Sequence, residues 1–338
     1  MVSDYKKKNN QKIDIIIISG VSIDKTPVIK SLIDYYSNRK IIILEYQHKK
    51  RLSFLLNGYR LVRRYKNSHI FFIGLQCLPL LAITHFFLKN PFYWELETYN
   101  IHDSNSLAIQ MLYFQKLINW SKVNLILPHE ARWNIKDKRM LNKKIIIPNV
   151  PLSGNSFEPR TLNGTDQINL ILYGNLDNEY VYLTEWIEFA KKESSIFLML
   201  IGRNIDQNII ESLPKNVKYK KQVNHKELLS LLKDYHFSIV GYRPVDFNHK
   251  YCVPNKLFEA FSFSLPVIAN KKNPTLVKIV NETKAGMLID FEVNIYEQLD
   301  IDKIRLNYDN YSLKSFNAYK NKYYFEYFAK TQLDNIVI

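Results

Sequence analysis

Residues 250–270 read KYCVPNKLFEAFSFSLPVIAN, and the fold turns on how this stretch divides. Pro254 fits the first turn of a helix, where its missing N–H would have no partner in any case. The helix predicted to open there carries Leu257, Phe258 and Phe261 at helical spacing. Directly behind it, Pro266–Ala269 is a short apolar run, the mark of a buried strand. Helix followed at once by buried strand is the repeating half-unit of a parallel sheet.

The same helix carries charge where packing has no need of it. Its start presents unpaired N–H groups and the positive end of the helix dipole, a ready site for an anion such as phosphate. Lys256 adds a full charge in the first turn, and Glu259, three residues on, projects from the same side. A carboxylate beside a phosphate site is suited to accept hydrogen bonds from hydroxyls, as on a ribose. Together the two predict a nucleoside diphosphate. As an ordinary i,i+3 ion pair they would contribute only a few tenths of a kcal/mol, and the residues alone leave both readings open.

Outward from this stretch, strand and helix patterns alternate along the chain of 338 residues, long enough for two domains. The first half offers strands at Ile13–Ser19, Lys40–Tyr46, Ile70–Leu75, Phe92–Glu97, Val123–Pro128 and Lys144–Pro148. The segment 149–166, NVPLSGNSFEPRTLNGTD, has a linker composition. Beyond it come strands at Ile168–Tyr173, Ile196–Ile201, Val217–Lys220, Phe237–Val240 and Gly286–Ile289, with helices through Trp186 and from His225 to Leu232. The expected division is 1–150, a linker 151–167, 168–311, and a C-terminal aromatic helix over 312–338 that crosses back toward the first domain. Two α/β domains in series place a cleft between the carboxyl ends of two sheets, where ligands of such sheets bind.

Net charge is +15, of which residues 1–150 carry +14 and residues 151–338 only +1. Much of the excess lies in HKKRLSFLLNGYRLVRRYK (His48–Lys66), where seven Lys and Arg alternate with apolar residues. Such a segment suits an anionic membrane surface; as a solvated helix face it would do nothing further. No zinc-finger, RNA-recognition or helix-turn-helix pattern accompanies the charge, so nucleic acid is not expected. Asn67–Leu88 lacks any Lys, Arg, Asp or Glu and approaches the length of a membrane span. Gly74, Pro79 and six polar residues break it, and a strand followed by a buried helix is the expectation. Two distant cysteines, Cys77 and Cys252, argue for a reducing compartment.

The stretch VPNKLFEAFSFSLPVIAN resembles the donor-binding segment of the GT-B glycosyltransferases, particularly the family 4-like enzymes of bacterial surface polysaccharide assembly. LILYGN (Leu170–Asn175), FLMLIGR (Phe197–Arg203) and VNHKELLSLLKDYHFSIVGY (Val223–Tyr242) resemble other parts of the same donor domain. YWELETY, VNLILPHEAR and KIIIPNVP resemble the acceptor domain more loosely. The resemblance implies two Rossmann-like domains facing across a cleft; the aromatic C-terminal stretch is expected as a helix packing across them, and the basic first domain points to an enzyme on the cytoplasmic face of the plasma membrane. That enzyme would move a sugar from a nucleotide-diphosphate donor to a lipid-linked or surface-glycan acceptor, with retention of configuration and with neither cofactor nor metal.

By the same resemblance, Lys256 and the helix start at Pro254 and Asn255 hold the donor diphosphate, Glu259 the ribose, and the backbone near Val223 the base. Gly174, Asn175 and Gly202 are further donor-binding candidates, and Arg203 reaches the phosphates, although the family more often has its arginine after the first strand, where this chain has Asn175. From their place at the end of the fourth strand, Glu95 and Glu97 would look into the cleft; Glu97 is the choice for orienting or deprotonating the acceptor, and a rim residue or salt bridge is the other reading. Relatives often carry a second glutamate eight residues before Glu259, where this chain has Tyr251; Tyr242 or Asn248 could stand in for it. The family's glycine before Pro-Val is Leu265, preceded by Ser264. Asp300-Ile301-Asp302 echoes a metal-binding triplet of another glycosyltransferase fold and is read as chance. A non-catalytic, acceptor-binding partner of a glycosylation complex is the alternative function, and an epimerase on the same fold would need more acid and base residues than the chain offers.

Overall fold

The computed structural model describes residues 13–47, 50–96, 113–131, 142–154, 157–163 and 167–337. It divides into two compact units, Met1–Pro148 with Phe325–Ile338, and Asn149–Tyr324.

The first unit is built on a six-stranded parallel sheet: β1 (Ile15–Ser19), β2 (Ile41–Glu45), β3 (His69–Ile73), β4 (Phe92–Trp94), β5 (Asn124–Leu127) and β6 (Lys143–Ile146), in the order β2-β1-β3-β4-β5-β6. β1 opens with four isoleucines and ends in Ser19, and all five residues are buried, as in parallel strands covered on both faces. β4 stops at Trp94, short of the predicted Glu97, which lies outside the described residues. Asn67–Leu88 forms β3 and the buried helix Leu78–Thr84. Among the described residues no helix is long and apolar enough to cross a membrane. The basic segment folds as the helix Arg51–Arg64, which buries Phe54, Gly58 and Val62.

Phe325–Phe328 returns to this unit, with the buried Phe325 edge-on to Tyr35. Tyr35 and Tyr36 both donate to the Asp334 carboxylate, at 2.7 and 3.1 Å.

The second unit repeats the plan with β7 (Ile168–Asn175), β8 (Ile196–Arg203), β9 (Val217–Lys221), β10 (Phe237–Val240), β11 (Val267–Asn270) and β12 (Gly286–Ile289). All are parallel, in the order β12-β11-β10-β7-β8-β9. This is the doubly wound dinucleotide-binding order, in which the winding reverses between the first and fourth strands, here β7 and β10. The edge strand β9, VKYKK, exposes lysines, which discourages pairing with another sheet. Trp186 and Phe291 meet edge-on in the main core, at 5.2 Å between centroids.

Residues 157–163 are fastened to the second unit. The Arg160 guanidinium donates to three backbone carbonyls, of Lys233 (2.6 Å), Tyr235 (2.8 Å) and Phe263 (3.0 Å), two of which cap helix ends. The last long helix departs from expectation. It runs Ile301–Asn321, so a boundary at 311 would cut it, and 312–338 is not one helix. Asp300 begins it as N-cap, accepting from Lys303 N at 3.1 Å, while Asp302 reaches Arg305 at 3.4 Å. The aspartate pair is helix-starting chemistry.

Candidate functional site

The helix of the quoted stretch spans Asn255–Ser262, with Pro254 as N-cap rather than first helical residue, and every residue from Lys256 to Ser262 is buried. It ends through Phe263 and Ser264, whose φ of 52° is left-handed. The conformation that glycine serves best therefore falls on Ser264 and not on Leu265. Ser264 is held there by its hydroxyl, which donates to Phe157 O, and by its carbonyl, which accepts from Ser312 Oγ at 2.8 Å.

Lys256 and Glu259 do not pair with each other. Both turn toward Tyr173, at the end of β7, beside the strand-order reversal. Lys256 Nζ donates to Tyr173 O at 2.9 Å and lies over the rings of Tyr173 (5.6 Å) and Tyr242 (5.0 Å). Only 6% of the residue is exposed. Burial pulls its pKa down from 10.5 to about 8, against the pull of Cys252 and Glu259 in the other direction. Among the described residues no carboxylate bonds this ammonium, and it keeps donor capacity for an anion. Glu259, 8% exposed, accepts from Tyr173 Oη at 3.1 Å and meets His225 Nε2 at 2.9 Å.

Gly174 and Gly202 lie opposite each other in the β7–β8 register. A Cβ on Gly202 would stand 2.1 Å from Gly174 O, and Gly174 itself has φ +109°. Both glycines are required for the strand ends to approach and for backbone to stay open beside Lys256. Asn175 Oδ1 accepts from Asn204 Nδ2 at 3.0 Å, tying the two strand ends together. Arg203 closes β8 as an exposed side chain. Val223 lies in the loop after β9, which is drawn in where Gln222 N donates to Gly202 O at 2.8 Å. Thus Gly174, Asn175, Gly202, Arg203, Val223, Tyr242, Pro254, Asn255, Lys256 and Glu259 all fall at the carboxyl end of this sheet or at the start of the helix beside it.

Two residues enter the site that sequence reasoning missed. Tyr173 bridges the lysine and the glutamate from a strand position that reads as core. His225 covers the glutamate from the first position of the helix His225–Leu232, whose N-cap Asn224 accepts from Glu227 N at 3.0 Å. The sequence signal for His225 was this capping pair, Asn followed three residues later by Glu, which marks where the helix starts. Among the described residues no three His, Cys, Asp or Glu side chains are grouped so as to hold a metal ion.

No protein-family model matches the chain, and no curated protein matches it in sequence. Solved structures do match in fold. Anabaena HepE in complex with UDP-glucose aligns with a TM-score of 0.64 at 12% identity over 94% of this chain and 98% of its own. WaaG, a glycosyltransferase involved in lipopolysaccharide biosynthesis, aligns with 0.63 at 9% identity over 94% and 98%. TarM aligns with 0.58 at 17% identity over 82% of this chain; the alignment takes in 57% of TarM's own length. At these identities the likeness is one of fold: the chain has two Rossmann-like α/β units of the GT-B type.

Proposed function

We propose that the protein is a glycosyltransferase that moves a sugar from a nucleoside-diphosphate donor. The observation that carries this reading is the buried Lys256 ammonium at the start of a helix, set at the strand-order reversal with no carboxylate of the described residues bonded to it. Glycosyl transfer expels a nucleoside diphosphate, and charge develops on the departing phosphate. A lysine and helix N–H groups already aimed at that place stabilise the transition state without reorganising. Glu259, kept in place by Tyr173, accepts from the ribose hydroxyls once His225 yields one carboxylate oxygen to them. Similarity to a fold solved with UDP-glucose supports the same donor class. In this reading the configuration is retained by attack on the face the leaving group departs from, no metal or cofactor takes part, and Glu97 orients the acceptor hydroxyl.

The test is calorimetric titration with a panel of nucleoside diphosphates on the wild type and on Glu259→Gln. One of them is expected to bind, and the substitution to weaken it about 10-fold or more. A well-folded wild type that binds none of them would overturn the transferase reading in favour of a non-catalytic, acceptor-binding partner.

The acceptor we propose is lipid-linked or a surface glycan, met at the cytoplasmic face of the plasma membrane. Support comes from the helix Arg51–Arg64, where Leu52 (71%) and Leu56 (48%) are exposed in line with the exposed Arg60 and Arg63. Each basic residue near an anionic surface contributes about 1 kcal/mol. The protein is expected to sediment with vesicles containing phosphatidylglycerol and not with neutral ones, and Arg60→Glu with Arg63→Glu to lose most of that binding. Equal sedimentation with both vesicle types, or with neither, would refute the membrane assignment.

A further inference from the structure

The family's second glutamate has no counterpart at Tyr251, whose ring packs on Phe247 at 4.9 Å under the Lys250 ammonium. Two residues earlier stands His249, in the short helix Phe247–Tyr251. Asp246 holds it twice: Oδ1 accepts from the His249 backbone N–H at 2.7 Å, and Oδ2 faces Nδ1 at 2.8 Å. The imidazole stacks on Tyr180 (5.1 Å, 22°) and meets Tyr242 edge-on (5.6 Å, 70°). Tyr180 belongs to the loop after β7 and Tyr242 to the loop after β10, so His249 is wedged across the point where the strand order reverses. Nδ1 stands within ion-pair distance of the carboxylate but outside hydrogen-bond geometry, and Nε2 is the ring nitrogen left for a ligand. About a quarter of the side chain is exposed, enough for a ligand to reach it.

Its position along the sheet gives it a partner. The contacts run in series: His225 meets Glu259 at 2.9 Å, Glu259 accepts from Tyr173 at 3.1 Å, Lys256 lies over the rings of Tyr173 and Tyr242, and Tyr242 meets His249 at 5.6 Å. His249 is therefore on the far side of Lys256 from His225. A nucleotide sugar is linear: base, ribose, diphosphate, sugar. With the ribose on Glu259 and the diphosphate on Lys256, the sugar falls on the His249 side.

Resting on the transferase reading above, we propose that His249 determines donor-sugar specificity: its Nε2 accepts a hydrogen bond from a sugar hydroxyl, and Asp246 positions the ring. The chain thus supplies, two residues earlier in the same short helix, the polar contact that Tyr251 cannot make.

The experiment measures dissociation constants for UDP, GDP and ADP and for their glucose conjugates on the wild type, His249→Ala, His249→Gln and Asp246→Asn. In His249→Ala, affinity for the nucleoside diphosphate is expected to stay within about 2-fold while affinity for its conjugate falls about 10-fold. His249→Gln retains an acceptor oxygen and should recover part of the loss; Asp246→Asn should show the same selective loss at smaller size. Equal losses for nucleotide and conjugate, or no selective loss for any conjugate, would overturn the assignment. Failure of the wild type to bind any nucleotide would instead overturn the transferase reading, and this one with it.

Discussion

Lys256→Met is expected to weaken nucleoside diphosphate binding at least about 30-fold and, at the same time, to make the unliganded protein more stable at pH 7. The first effect follows from removing a charge-assisted donor to phosphate from a buried site. The second follows from the cost of keeping that charge there. Burial lowers the pKa of Lys256 from 10.5 to about 8. The unfolded chain therefore holds more protons between about pH 8 and pH 10.5, and the folded state gains stability from this group as pH rises through that window. Below it the ammonium carries its full desolvation cost, roughly 3 kcal/mol from the size of the shift. Methionine removes that cost and forfeits one hydrogen bond to Tyr173 O, which leaves a net gain of about 1–3 kcal/mol at pH 7. The gain should shrink toward pH 10.5. Thermal melts across this range, with titrations alongside, check both effects. A methionine variant that melts lower than wild type at pH 7 would show the lysine to be a structural member of the fold, not a charge held ready for an anion.

Gly286→Ala should lower the melting temperature of the second unit by roughly 6–12 °C, corresponding to about 3 kcal/mol or more. Gly286 opens β12 with φ +145°, and a Cβ there would stand 2.0 Å from Val267 O and 2.7 Å from Val267 N. No rotamer relieves a contact with backbone, so β12 must peel from β11 or the turn after Lys284 must rebuild. Because β12 lies three strands from β7 in the sheet, nucleotide affinity below the melt should hold near the wild-type value. A melting point within 2 °C of wild type would show that this edge accommodates the methyl group by moving.

The strands were legible in the sequence because fully covered parallel strands are written as apolar runs such as Ile15–Ile18, and their order of appearance fixed the fold class. Lys256 and Glu259 were legible because the chemistry of a helix start is local. Tyr173, His225 and His249 were not, since each gains its meaning from a loop or strand distant in sequence: Tyr173 is 83 residues from Lys256 and 86 from Glu259. The left-handed residue after the Asn255–Ser262 helix was misplaced by one because Ser264, held by two hydrogen bonds, takes a conformation usually left to glycine. The last helix was misjudged at both ends. Its aromatic residues cluster beyond Ser312, whereas its start depends on one capping aspartate, Asp300, inside an Asp-x-Asp that by pattern alone resembles a metal motif.

The return of residues 325–338 to the first unit bears on the order in which the protein is made. The second unit is continuous in sequence, and everything it needs has been synthesised once Tyr324 is in place. The first unit begins to emerge earlier and is completed later: Tyr35 and Tyr36 wait some three hundred residues for Asp334. Until then the faces that meet Phe325, Phe328 and Leu333 stand open on a nascent chain, where uncovered apolar surface invites misassembly. The first unit is thus completed after the second, and damage to residues 325–337 would be felt at Tyr35 and Tyr36.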